Sequence, residues 1–267
     1  VAGRWQALFL AAIVTVSSTA PAIASPRPEP PNWWQDIVFD DFNDFGETIR
    51  HWNYEYGQPG IANHELQTYT DSTDNVRMDG QGHLVLEAHR TADGYTSGRL
   101  STRGKLDMMY GTVAARIKFP SGQGIWPAFW LLGSDIDSVG WPECGEIDIM
   151  ELVNTGTTYN VSLHGPPGGS DFADSDAVSA QGQIEDLTTD FHTYWVTREP
   201  GHITIGVDER ILGMFTPDSL PGYARWVFDH PMYAVLNVAV GGDWAGPPNE
   251  STPFPAPMLV DWFRYTP

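Results

Sequence analysis

Three carboxylates fall within six residues at Glu146-Ile147-Asp148-Ile149-Met150-Glu151, inside an apolar, β-favouring run. Carboxylates crowded into such a run repel one another and lose hydration, so they persist together where their charges act jointly. On a regular strand side chains alternate, which places Glu146 and Asp148 on one face and Ile147 and Ile149 on the other. Strict alternation sends Glu151 to the apolar face. One extra residue, a β-bulge at Ile149 or Met150, returns Glu151 to the face of Glu146 and Asp148. Four strand steps of ~3.3 Å then set the two glutamate Cα atoms ~13 Å apart. Each side chain reaches roughly 4 Å, so leaning together brings the carboxyls to about 5 Å. That separation suits double displacement at an anomeric carbon, one carboxylate attacking and the other protonating the leaving oxygen; an inverting pair needs a wider gap to admit water. Two other readings fit the same residues: a solvated acidic strand face, and an oxygen-only site for a hard cation.

Positioning such a cluster takes a β scaffold. Short β-like runs recur at 84–88, 111–117, 159–163, 193–197, 203–207, 232–240 and 258–265, with Gly, Pro, Asn or Asp between or near most of them. Helical periodicity beyond two turns is scarce, and the spacing predicts an all-β sandwich or barrel. A helical turn or two is expected within 216–227, and the Gly, Pro, Ser and Asp of 165–179 read as a surface loop.

The 267 residues suffice for one sizeable β domain or two small ones. Arg4, the apolar run 7–16 and Ala22-Ile23-Ala24 before Ser25 read as a secretory signal over 1–24, too short for a membrane span. Residues 25–32 read as a Pro-rich linker or tail, and 33–267 as one domain without repeats. The expectation is a secreted monomer, free of the membrane once the signal is removed. A net charge of −20 argues against nucleic acid and against sulfated or uronate polymers, and suits a neutral one. Cys144, the single cysteine, leaves no internal disulfide and reads as a buried small apolar residue.

Ten of the eleven tryptophans follow the signal segment, and indole offers sugar rings a flat apolar face with one polar handle. Trp126 and Trp130 sit in Gly124-Ile125-Trp126-Pro127-Ala128-Phe129-Trp130, with Trp141 between this block and the acidic cluster. Trp126 and Trp130 are expected in a cleft, and Trp33, Trp195 and Trp262 in the core.

Gly145-Glu146-Ile147-Asp148-Ile149-Met150-Glu151, preceded by Trp141-Pro142, resembles the signature of glycoside hydrolase family 16, in the laminarinase branch; lichenases of that family lack the inserted hydrophobe. The likeness extends through Asn63-His64-Glu65-Leu66-Gln67, Ser97-Gly98-Arg99-Leu100, Tyr110-Gly111, 126–133, Leu163-His164-Gly165-Pro166, 237–244 and Leu259-Val260-Asp261-Trp262. It implies a jelly-roll sandwich of two curved antiparallel sheets with an open concave cleft, and endo-hydrolysis of β-1,3-glucans such as laminarin or curdlan. By the same resemblance Glu146 is the nucleophile, Glu151 the acid/base, and Asp148 a hydrogen-bond partner that tunes the nucleophile. His164 is placed beside Glu151 on the leaving-group side, where a structural hydrogen bond is the other reading. Asn63, Arg99, Trp126, Trp130, Asn237 and Trp244 match positions lining the glycone side, and Trp141 joins the substrate-binding set. No cofactor is required for catalysis. A structural Ca²⁺ matches Asp41, the backbone of Gly82, and Asp261, although Asp41 stands where many laminarinases carry Glu. His64 likewise departs from the usual second Asn. Mixed-linkage glucanase, agarase and carrageenase specificities, and a non-catalytic glucan-binding sandwich, are the competing readings.

Overall fold

The computed structural model describes residues 38–60, 62–166, 176–222 and 224–267. The expected signal (1–24), the Pro-rich segment (25–32) and Trp33 lie outside the described residues.

Strands in chain order are β1 (Val38–Asp40), β2 (Asn53–Tyr54), β3 (Gln67–Tyr69), β4 (Val76–Met78), β5 (Leu84–Thr91) and β6 (Gly94–Ser97). They continue with β7 (Arg99–Ser101), β8 (Gly111–Lys118), β9 (Ile125–Gly133), β10 (Glu146–Glu151), β11 (Thr158–Gly165) and β12 (Asp176–Gln183). The last are β13 (His192–Glu199), β14 (His202–Val207), β15 (Arg210–Phe215), β16 (Met232–Val240) and β17 (Ala256–Thr266). Three short helices, α1 (Phe45–His51), α2 (Ile136–Val139) and α3 (Gly242–Ala245), interrupt them. Asp44 caps α1, its carboxylate accepting from the Gly46 and Glu47 amides.

Among the described residues the strands form two sheets. One has ten strands, ordered β15-β14-β13-β8-β17-β5-β6-β3, with β1 on β17 and β4 on β5; the other has seven, ordered β12-β11-β10-β9-β16-β7-β2. All pairings are antiparallel except β3 with β6. This is the all-β sandwich the sequence predicts, and all seven predicted runs are strands.

The seven-stranded sheet shows how alternation builds a site. All nine residues of β16 are buried. Met232, Ala234, Leu236, Val238 and Val240 enter the main core, whereas Asn237 and Ala239, at odd positions, line a cleft on the opposite face. In β9, Ile125, Phe129 and Leu131 face the core while Trp126, Ala128, Trp130 and Leu132 face the cleft. Each such apolar side chain contributes about 1.5–3 kcal/mol on full burial, so the strands that carry the cleft are clamped from behind. Cys144 is buried with Leu132, Tyr233 and Val235, and burial pushes its thiol up to about 11.

Three expectations are corrected. Trp195 is only half-buried, because β13 sends Tyr194 and Val196 inward and turns Trp195 out, its Nε1 donating to the Asp208 carbonyl at 3.0 Å. Trp262 likewise lies on an outer face, its ring 6.3 Å from that of Phe39 with the Arg264 guanidinium over both. An indole covers an outer sheet face well because its N–H stays able to reach a partner. The loop expected over 165–179 gives way by Asp176 to strand β12, which pairs along β11 from Gly165↔Asp176 to Thr158↔Gln183. The helical turn expected within 216–227 is the 3-10 turn Pro217–Ser219.

Candidate active site

The three carboxylates of β10 share one face because the strand is bulged. Against β9 the register runs Glu146↔Leu132, Ile147↔Leu131, Asp148↔Trp130, then Met150↔Phe129 and Glu151↔Ala128, so Ile149 is the extra residue. Against β11, Asp148↔Ser162 is followed by Glu151↔Asn160, three steps facing two. Ile149 and Met150 are both fully buried in the core, and this consecutive inward pair carries Glu151 back to the cleft beside Glu146 and Asp148.

The cleft encloses about 780 Å³, and every residue predicted to bind or transform substrate lines it. Trp126 Nε1 donates to Glu151 Oε1 at 2.9 Å, and Trp141 Nε1 donates to Glu146 Oε2 at 3.0 Å. Asp148 Oδ2 accepts from Ser162 Oγ at 2.7 Å and lies 3.2 Å from His164 Nε2. His164 is therefore not beside Glu151. The antiparallel register sets it opposite Glu146, and Asn160 opposite Glu151. Its ring also tilts against Trp141, 6.4 Å between centroids.

Three carboxylates this close cannot all ionise freely. Burial first, then Asp148, pushes Glu146 up to about 8, while His164, the Trp141 donor and Arg99 oppose the shift. Burial and Asp148 also hold Glu151 well above the usual carboxylate range, with Glu146 and Glu65 adding to it; only the neutral Trp126 donor opposes. Glu146 thus has two cations and an N–H favouring its anion, and Glu151 has one N–H. The two glutamates titrate as a coupled pair, with these partners favouring the anion on Glu146 and the proton on Glu151. Burial lowers His164, but its bond to Asp148 and the charges of Asp148 and Glu146 outweigh that and raise it.

The other end of the cleft is a polar lattice on an aromatic floor. Trp130 Nε1 donates to Asn237 Oδ1 at 2.7 Å, and Asn237 Nδ2 donates to the Tyr69 hydroxyl at 3.1 Å. Arg99 lies over Trp130, 5.0 Å from its centroid, rather than in a surface ion pair. Trp244, half-exposed, meets Trp126 edge-on at 5.3 Å. Asn63 and His64 adopt φ of 47° and 52°, a left-handed conformation that costs non-glycine residues about 1–2 kcal/mol each. Asn63 Nδ2 reaches Glu65 Oε1 at 3.3 Å, while His64 turns out to meet Asp243 Oδ2 at 2.8 Å. Glu65 and Asp243 line the cleft without having been singled out from the sequence. The signal was present for Glu65: its two-residue spacing to Gln67 puts both on one face, where Gln67 Nε2 donates to Glu65 Oε2 at 2.6 Å.

The family model described as "Glycosyl hydrolases family 16" matches residues 63–263. The chain belongs to glycosyl hydrolase family 16. It is 35% identical over 264 residues to a β-glucanase of Rhodothermus marinus, covering 91% of this chain and 88% of that one. A glucan endo-1,3-β-glucosidase A1 of Niallia circulans is 33% identical over 86% of this chain, which spans 37% of that longer protein. The crystal structure of the laminarinase catalytic domain of Thermotoga maritima MSB8 superposes with a TM-score of 0.78 at 38% identity, covering 87% of this chain and 98% of that one. The family's jelly-roll architecture is the one described above.

Two places in this family 16 fold bear on metal ions. Glu146, Asp148 and His164 bring one ligating atom each within 4.8 Å of one another. Their contacts with Trp141, Ser162 and each other already organise them as a proton-holding cluster. On the ten-stranded sheet, β1 leaves β17 at Asp40↔Phe263 and β5 joins it at Leu84↔Val260, so Asp41, Gly82 and Asp261 converge along one edge of β17. Asp261 is the residue skipped between Val260 and Trp262 against β8, and it is buried with Oδ2 accepting from Arg116 at 2.7 Å. Asp41 accepts from the amide and side chain of Asn43. The donors are all oxygen, which matches Ca²⁺, though Arg116 takes one of them.

Proposed function

We propose that this chain is a retaining endo-β-1,3-glucanase acting on laminarin- or curdlan-type polysaccharide. One observation carries the reading: the β10 bulge sets Glu146 and Glu151 on one cleft face, where His164, Arg99 and the Trp141 N–H favour the anion of Glu146 and only the Trp126 N–H favours that of Glu151. In the first half-reaction a Glu146 oxygen attacks the anomeric carbon while Glu151 gives its proton to the departing glycosidic oxygen. In the second, Glu151 takes a proton from water, the resulting hydroxide attacks the same carbon, and Glu146 leaves with its electron pair. Asp148 and His164, beside Glu146, stabilise the proton distribution between the steps. Trp126, Trp130 and Trp141 offer ring faces to glucose units, and Asn63, Arg99, Asn237 and Trp244 complete the glycone side. The linkage follows the laminarinase and endo-1,3-β-glucosidase relatives. A similar structure, that of a non-specific endo-β-1,3(4)-glucanase, supports mixed-linkage glucan as a secondary substrate.

Time-resolved product analysis on laminarin, with NMR of the first-formed anomer, tests this. Internal cleavage giving the β anomer is expected; an initial α anomer would overturn retention, and cleavage of agarose but not laminarin would overturn the substrate. Export by residues 1–24, action as a monomer, and a structural Ca²⁺ at Asp41, Gly82 and Asp261 belong to the same proposal. The β17 edge convergence supports the last. EDTA is then expected to lower Tm without changing the ratio of products.

A further inference from the structure

Glu65 is a fourth carboxylate in the cleft wall, 9% exposed, and the turn that delivers it is strained. Consecutive left-handed residues at Asn63 and His64 persist only where their surroundings over-determine them. Here the Gly60 amide donates to the Glu65 carbonyl at 2.7 Å and the Glu65 amide to the Ala62 carbonyl at 2.9 Å. From the other loop, the Asp243 amide donates to the Asn63 carbonyl at 2.8 Å, and the Asp243 carboxylate meets His64 Nδ1. The clasp fixes one functional group. Glu65 is held by two neutral amides, Asn63 and Gln67, and among the described residues no cation pairs with it.

Its neighbour is the indole that serves Glu151. A Cβ on Gly242 would stand 3.3 Å from Glu65 Cγ and 3.6 Å from the Trp126 ring, so both side chains approach that one backbone position. Trp126 in turn donates to Glu151. The geometry points to Glu65 as a positioning residue for the proton of Glu151: a carboxylate near Trp126, with no cation partner among the described residues, that opposes loss of the proton Glu151 must deliver. This rests on the reading of Glu151 as acid/base. The other charged groups around Glu151 are Glu146 and Asp148 on its own strand, His164 on β11, Arg99 on β7 and Asp243 on α3. His164 and Arg99 stand with Glu146 and Trp130, and Asp243 is engaged with His64. Glu65 adds to a shift whose larger causes are burial and Asp148, so its share is modest.

The test is kcat/KM against pH on laminarin for the wild type, Glu65→Gln and Glu65→Asp, with Tm measured alongside. Removing the charge is expected to move the basic limb down by about 0.5–1 pH unit. Glu65→Asp, which withdraws the carboxylate by one methylene, shifts it less in the same direction, and carries the test if Glu65→Gln does not fold. A merely structural role lowers kcat at every pH and leaves the limb in place, which overturns the proposal. If the wild type cleaves no glucan, the functional reading fails. The midpoint of Glu151, followed by NMR in glutamate-labelled wild type and Glu65→Gln, still decides: a lower midpoint in the variant supports the inference and an unchanged one overturns it.

Discussion

Trp141 donates its indole N–H to Glu146 at 3.0 Å from a ring that is 49% exposed. The donor favours the anion of Glu146 at the lip of the cleft, where an arriving sugar can still cover the ring. Trp141→Phe keeps most of the ring face and removes the N–H. A hydrogen bond to a charged group contributes about 1.5–3 kcal/mol, and exposure of this one places it at the low end, so kcat is expected to fall about tenfold. The acidic limb of the pH profile should rise, because Glu146 then needs a higher pH to ionise. An unchanged acidic limb would show that the indole serves only as a platform.

Glu151→Gln removes the proton donor without removing the nucleophile. On laminarin a loss of about 10²–10⁴ in kcat is expected. On an aryl β-glucoside oligomer with a good leaving group, the first half-reaction needs no acid, and a burst of released phenol should precede slow turnover. Equal loss on both substrates would remove Glu151 from the acid role.

The same burial that prepares the cluster burdens the fold. Glu146 rises from 4.5 to about 8 on folding. Below pH 4.5 both states keep the proton and nothing is lost. Between these values the unfolded chain ionises while the folded one does not, so stability falls as pH rises and levels off above about 8. Glu146→Gln is therefore expected to match the wild type near pH 4 and exceed it by about 1–2 kcal/mol at pH 8, read from denaturant midpoints at each pH. A gap constant with pH would contradict this.

Deleting Ile149 tests the role of the bulge in register. The shortened run Glu-Ile-Asp-Met-Glu alternates without a bulge and still places all three acids on one face. Cooperative folding and measurable turnover are expected, with the ratio of lichenan to laminarin cleavage raised. A folded but inert deletion would show that the bulge fixes more than which face Glu151 occupies.

Much of this site was legible from the sequence because alternation makes acid placement a matter of parity: Glu146, Asp148 and Glu151 conflict with a flat strand, and only a bulge resolves them. Trp126 and Trp130 were expected in the cleft from their flat indole faces and their place just before the acidic cluster, and both take cleft-facing positions on β9. His164 was misplaced because its neighbour is set by the β10–β11 register, Glu146↔His164, which local pattern does not carry. Glu65 acquires its meaning only when its turn meets Gly241 and Gly242, at the start of α3 far along the chain. Trp195 and Trp262 were expected in the core because core packing is the usual place of a single tryptophan, whereas their strand positions turn them to an outer face.

The bulge at Ile149 also has an evolutionary side. Six residues with a bulge and five without both return the second glutamate to the cleft, so one codon separates two working spacings. A single in-frame deletion of Ile149 would join the two, removing one buried core residue and passing through no intermediate in which the acid points into the protein interior.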